Sequence, residues 1–213
     1  MKNKIALFLP SLHGGGAERV MINLAKGFFE RGYSVDLVVS NAAGPYLSQI
    51  PKGVSIIDLK SHRVLKSLFP LMSYLRKEKP NIFISALNHT NIIAIIAKEV
   101  VRSSTLMIIT EHNTLSIAQK HALNLREKML PILMKYFYPL ANQIIAVSQG
   151  VAKDLSYQIG LPLHKIKVIY NPVIDDQLIK KSWEKVEHPW FHQYTVILSV
   201  GRLTEQKDYP TLI

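Results

Sequence analysis

The chain has 213 residues, 48% of them hydrophobic and none of them cysteine, which allows a large buried core and excludes disulfides and thiolate metal sites. Twenty-six Lys and Arg against 15 Asp and Glu leave a net charge of +11, a surface that favours polyanions such as nucleic acid, anionic lipid headgroups or phosphorylated small molecules. No stretch approaches the ~18 uninterrupted apolar residues of a membrane span, and the run IALFLP near the N-terminus is too short for a signal peptide and leads into a glycine-rich turn, so the chain reads as soluble and cytoplasmic.

The first predicted element is the strand KIALFL (4–9), followed by a turn that contains Gly14, Gly15 and Gly16. Three successive glycines between a strand and a helix let the backbone approach a ligand and point unpaired N–H groups at an anion. A tight turn needing positive φ explains one or two of them, not three. No Gly-Lys-Ser/Thr follows, so this is not a P-loop, and Arg19 stands where the third glycine of a dinucleotide fingerprint would be. Helical spacing over 17–31 then places Val20, Leu24, Ala25 and Phe28 on one face.

Strands SVDLVV (34–39) and VSIIDL (54–59) come next, then segment 62–79, which mixes Leu65, Leu68, Phe69, Leu71 and Met72 with Arg63, Lys66, Arg76, Lys77 and Lys79. Basic amphipathic stretches of this kind lie on anionic membranes, or else pack on a sheet with solvated cationic outer faces. Strand NIFISA (81–86) precedes a helix over 91–101 that is apolar nearly all round. Strand TLMIIT (105–110) runs into Thr110-Glu111-His112-Asn113-Thr114. A strand-end histidine among polar residues serves as a hydrogen-bonding or proton-handling group near neutral pH; the plainer alternative is an ordinary loop histidine. His13, His89 and His121 have weaker claims, and no histidine pair has metal-ligand spacing with a carboxylate, so neither metal nor other cofactor is expected.

A helix over 123–138 gathers Leu130, Leu133, Met134 and Phe137, and segment 120–138 is again basic and amphipathic. Strands QIIAVS (143–148) and KIKVIY (165–170) follow. Short runs apolar on both faces, alternating with helices, specify an α/β fold: a Rossmann-like, doubly wound parallel sheet. Past Asn171-Pro172 the pattern breaks. The expectation is an N-terminal domain over 1–173, a polar linker with a short helix over 174–193, and over 194–213 the truncated start of a second Rossmann-like domain. That last piece holds the strand TVILSV (195–200) and a loop with Gly201, Arg202 and Lys207, where guanidinium and ammonium can share one diphosphate or stand as two solvated cations.

Together, strand-GGxAE-helix, T-x-H after a central strand, VS-x-G-V-x-x-D-L (147–155), V-I-Y-N-P-V (168–173) and V-G-R-L-x-x-x-K-x-x-x-x-L-I (200–213) resemble a GT-B nucleotide-sugar glycosyltransferase of family four, the retaining type. The resemblance spans essentially the whole chain, and the combined order carries it. It implies that Gly14, Gly15 and Gly16 lie near the donor diphosphate, that His112 is the catalytic-centre histidine contacting the transferred sugar, and that Arg202 and Lys207 hold the leaving nucleoside diphosphate. It implies a nucleotide-sugar donor, a glycan or lipid-linked acceptor in cell-surface polysaccharide or lipopolysaccharide synthesis, and peripheral contact with an anionic membrane at its cytoplasmic face. The family's E-x7-E carboxylates fall outside these 213 residues, so this piece by itself is expected to be inactive. A GT-B-fold sugar-nucleotide epimerase shares the architecture, but the Gly-Gly-Gly-Ala-Glu turn and the G-R-L-x-x-x-K loop argue against it. A non-enzymatic membrane- or partner-binding module is a further alternative, and a nucleic-acid binder has charge alone in its favour.

Overall fold

The computed structural model describes residues 3–213 apart from 121, 123, 175, 202 and 204–207. It divides into two units, Met1–Val173 and Ile174–Ile213. The first holds a seven-stranded sheet in which every pairing is parallel: β1 (Lys4–Leu9), β2 (Ser34–Val39), β3 (Ser55–Asp58), β4 (Ile82–Ala86), β5 (Leu106–Glu111), β6 (Gln143–Ala146) and β7 (Ile166–Val168). The order β3-β2-β1-β4-β5-β6-β7 reverses direction between β1 and β4, and such a switch point opens a crevice at the carboxyl ends of the strands.

Both faces of the central strands are apolar, so both must be covered. Helix α1 (Gly16–Glu30) closes one core over Leu7, Leu9, Val35 and Leu37. On the other face α2 (Leu68–Glu78), α3 (Asn88–Val101), α5 (Leu125–Phe137) and α6 (Gln149–Ile159) close a larger core around Phe8, Phe83, Met107 and Ile109. Buried Asp36 on β2 is satisfied from two directions. The Tyr74 hydroxyl donates to it at 2.7 Å and Lys4 Nζ lies 3.3 Å away.

The helix expected over 123–138 is preceded by a separate short one, α4 (Leu115–Lys120). Asn124 makes the break, because its side-chain oxygen accepts from the backbone N–H of Glu127 at 3.0 Å and so caps α5. Pro131 lies inside α5 and cannot donate to the carbonyl of Glu127 four residues back. The Gln119 side chain donates to that carbonyl at 2.7 Å.

The second unit contains α7 (Asp176–Ser182), α8 (Pro189–Gln193) and α9 (Tyr209–Leu212). The strand expected at 195–200 does not form: these residues are irregular, and Ile197, Leu198 and Val200 are exposed. A strand needs a lateral hydrogen-bonding neighbour, and the described residues of this unit contain no other strand. Among the described residues, no helix is long and apolar enough to cross a membrane.

Candidate active site at the carboxyl edge of the sheet

The glycine turn leaves β1 and is laced to the loop after β2. Ser40 N donates to Leu9 O at 3.0 Å, Asn41 N to Pro10 O at 3.2 Å, Leu12 N to Ala43 O at 2.9 Å and Tyr46 N to Leu12 O at 3.2 Å. Gly44, at φ +123°, packs directly on the Leu12 carbonyl, where a Cβ would collide with backbone. The two loops therefore form one shelf. On it the three glycines have different reasons. Gly14 has φ +106°, a conformation that disfavours side chains. At Gly15, the N-cap of α1, a Cβ would run into the Glu18 carboxylate. At Gly16 a Cβ would meet nothing within 4 Å. All three are exposed, and no side chain caps the helix that begins here, so its first N–H groups and the positive end of its dipole face outward. Arg19 lies over the Tyr46 ring, 4.3 Å from its centroid.

His112 follows the last residue of β5. Its Nε2 is 3.0 Å from Thr110 Oγ1, and that hydroxyl donates its one proton to the Ser85 carbonyl at 3.0 Å. Thr110 can therefore only accept from the imidazole, so Nε2 carries the hydrogen and Nδ1 keeps a lone pair for a ligand. Burial pushes the His112 pKa down to about 4, which keeps the ring neutral at physiological pH. His112 and Thr110 line an apolar cleft of about 210 Å³ with Met21 and Leu24 of α1, Ile145 of β6 and Pro172. Asn23 of α1 donates to the Pro172 carbonyl at 2.8 Å and holds that wall in place.

Beneath the same strand end lies a buried polar cluster. Asn91 Nδ2 lies 3.1 Å from Thr110 O, 3.0 Å from Glu111 Oε1 and 3.2 Å from Tyr138 OH, so its two hydrogens are shared among three acceptors, and the Tyr138 hydroxyl donates to Glu111 Oε1. Glu111 is fully buried. Desolvation raises its pKa to about 7 even though both donors oppose the rise, and the Tyr138 phenol is driven upward by its own burial and by the carboxylate. Asn91 Oδ1 is buried without a partner, as are Ser85 Oγ and Thr90 Oγ1. At the switch point itself, Leu87 adopts φ +77° and ψ 139° as the N-cap of α3, a conformation expensive for any residue with a Cβ and concentrated at functional sites.

Gly14–Gly16 and His112 thus share the carboxyl edge, on opposite sides of the β4 terminus, with their strands about 10 Å apart at two inter-strand spacings. Arg202, Lys207 and His121 lie outside the described residues. His13 is exposed, its Nδ1 2.8 Å from Ser11 Oγ, and His89 lines a groove on the far face of the sheet. No group of three or more His, Cys, Asp or Glu able to hold a metal ion occurs among the described residues. Reading the sequence missed Asn91, Glu111, Tyr138 and Leu87. The available signals were an Asn opening an otherwise apolar helix and a Glu at a buried strand end.

A family model described as Glycosyltransferase Family 4 matches residues 14–177. Over 96% of its length the chain is 25% identical to a Campylobacter jejuni protein named GalNAc-alpha-(1->4)-GalNAc-alpha-(1->3)-diNAcBac-PP-undecaprenol alpha-1,4-N-acetyl-D-galactosaminyltransferase. Over 99% it is 27% identical to that organism's N-acetylgalactosamine-N,N'-diacetylbacillosaminyl-diphospho-undecaprenol 4-alpha-N-acetylgalactosaminyltransferase. It spans 54% and 58% of those two relatives. Among solved structures, the apo form of the lipopolysaccharide outer core galactosyltransferase WaaB superposes with a TM-score of 0.60 at 19% identity, covering 80% of this chain and 46% of that one. Anabaena HepE in complex with UDP and glucose does so with a TM-score of 0.57 at 22% identity, covering 79% and 44%. These two likenesses establish the GT-B-type α/β fold, and the match over 14–177 establishes the family: the chain belongs to Glycosyltransferase Family 4.

Proposed function

We propose that this chain is the acceptor-side part of an enzyme that moves a sugar, with retention, from a nucleotide diphosphate sugar to a glycan carried on a lipid diphosphate, in cell-surface glycan assembly. The observation that carries the reading is the pairing, on one sheet edge, of an open glycine-rich helix start with a neutral histidine whose free nitrogen is fixed by its neighbours. The lipid-linked acceptor follows the activities for which the two Campylobacter jejuni relatives are named.

Breaking the bond between sugar and diphosphate builds negative charge on the leaving group. Outward N–H groups at Gly15, Gly16 and Ala17 stabilise that charge through fixed dipoles. At Gly16 the absence of a Cβ lets a phosphate reach backbone that no part of this chain crowds. His112 accepts a hydrogen bond from a hydroxyl of the transferred sugar through Nδ1, and its neutrality keeps a competing positive charge away from the reacting carbon. Work at a cytoplasmic membrane face suits the net charge of +11.

The test is an amide and imidazole NMR titration of the chain with millimolar UDP-sugars. Shifts concentrated at Gly14–Ala17 and at His112 Nδ1, with the sugar-dependent part lost in His112→Ala, are the expected result. Shifts confined to other surfaces, or none at saturating donor, would remove the donor site from this edge.

A further inference from the structure

Glu111 and His112 are neighbours on the chain, and strand geometry sends them to opposite faces of the sheet. Met107 and Ile109 of β5 pack in the core closed by α3 and α5, and Glu111 continues that row. Ile108, Thr110 and His112 line the cleft beside α1. The Thr110–Glu111 peptide joins the two faces. Toward β6 it is held by the backbone, since Val147 N donates to Glu111 O at 3.2 Å. Toward β4 the register ends with Ala86 opposite Thr110, and Leu87 turns the chain away into α3. Asn91, in the first turn of that helix, comes back to this place with its Nδ2 3.1 Å from the Thr110 carbonyl. The last peptide before His112 is therefore held by a side-chain amide where a longer β4 would offer backbone.

That amide is shared. Its hydrogens also face Glu111 Oε1 at 3.0 Å and Tyr138 OH at 3.2 Å, and Asn91 Oδ1 is buried with no partner to anchor the group. A hydrogen bond to an ionised acceptor is roughly twice as strong as one to a neutral acceptor. An ionised Glu111 draws the amide hydrogens away from Thr110 O, and a neutral Glu111 releases them to it. The groups facing the carboxyl are Asn91 from α3, the Tyr138 phenol from the turn after α5, and apolar Ala146 of β6. Asp154 of α6 accepts from Ser116 N at 3.1 Å, and His89, in the first turn of α3, has its pKa pushed down by burial.

We propose that Asn91, Glu111 and Tyr138 are positioning residues for His112: through the Thr110 carbonyl they set how firmly the end of β5 presents the imidazole, firmly with a proton on Glu111 and loosely without it. That the imidazole meets a sugar rests on the glycosyltransferase reading; the coupling of the two sheet faces does not. Burial places the Glu111 transition at about 7, whereas the His112 pKa is about 4, so the two events are separable. Where His112 receives a sugar hydroxyl, that contact weakens as Glu111 loses its proton.

The experiment is ¹⁵N-imidazole NMR of the unliganded chain across the Glu111 transition, reading the His112 shifts and the solvent exchange of the Nε2 proton that Thr110 Oγ1 protects. Wild-type His112 is expected to show a step at about pH 7, where its own ring does not titrate. Above the step its Nε2 proton should exchange about fivefold faster than in Glu111→Gln at the same pH, as the loss of one hydrogen bond would give. Glu111→Gln keeps an accepting oxygen and carries no charge, so it should show slow exchange and no step. Asn91→Leu should exchange fast on both sides of the transition. A wild type without a step, which needs no variant to fold, would overturn the proposal. So would a step that survives in Glu111→Gln, or a shift step with no change in exchange, which would mark a field effect alone. Asn91→Leu that melts earlier yet exchanges as the wild type does would show a merely structural role and overturn it too. No nucleotide sugar is present, so failure here leaves the donor-site reading standing, and failure of that reading leaves this one.

Discussion

Replacing Glu111 by Gln should make the protein more stable at neutral pH, by an amount that follows from the site. The carboxyl is fully buried, and its pKa moves from an ordinary 4.5 to about 7 because desolvation outweighs the bonds from Tyr138 and Asn91. The folded chain therefore holds this proton more tightly than the unfolded chain between those two values, so the stability associated with it is complete below 4.5 and is lost as pH rises toward 7. The interval corresponds to about 3 kcal/mol at ~1.4 kcal/mol per pH unit, a large part of a typical ~5–15 kcal/mol domain stability. Gln keeps an oxygen for Tyr138 and Asn91 and carries no charge, so it removes the ionisation cost while preserving the two accepted bonds. Urea unfolding of both proteins from pH 4.5 to 8 is the assay, because the difference between the two curves cancels every other titrating group, His89 and His112 included. The curves should lie close together near pH 4.5 and separate by about 3 kcal/mol above pH 7, with the Gln variant the more stable. A separation that does not change with pH would refute the assignment of the burial cost to Glu111.

Thr110→Val removes the hydroxyl that fixes the His112 tautomer; imidazole ¹⁵N spectra should show a single Nε2–H form in the wild type down to about pH 5 and a mixture of tautomers in the variant, at a stability cost of about 1–2 kcal/mol. Thr110→Ser should restore the single form, and a wild-type mixture would refute the hydrogen-bond direction drawn from Ser85. Gln119→Ala removes the bond to the Glu127 carbonyl opposite Pro131 and should cost about 0.5–1 kcal/mol in chemical denaturation, with the cost smaller when Pro131→Ala is already present. Leu87→Gly relieves the positive-φ strain, worth about 1–3 kcal/mol, but surrenders a half-buried side chain; it should lose less stability than Leu87→Ala, and the reverse order would show that the turn is not strained.

The sequence made legible what depends on neighbours along the chain. Strands 4–9 and 34–39 fall where alternating coverage of two apolar faces puts them, and the glycine turn lies where a strand hands over to a helix. What stayed hidden was decided by partners far along the chain. Strand β5 runs on through Glu111 because Asn91 and Tyr138, 20 and 27 residues away, take up a carboxylate that would otherwise end it. The same distance hides the chemistry of His112. A strand-end histidine is visible in the motif, but its free nitrogen is chosen by the carbonyl of Ser85, which claims Thr110's only proton from 25 residues back. The segment 195–200 shows the converse: its residues favour a strand, yet propensity supplies no lateral partner, and the chain stays irregular. The site's residue types are thus written locally, and their protonation, tautomer and orientation are written in contacts between strands and helices that the fold alone brings together.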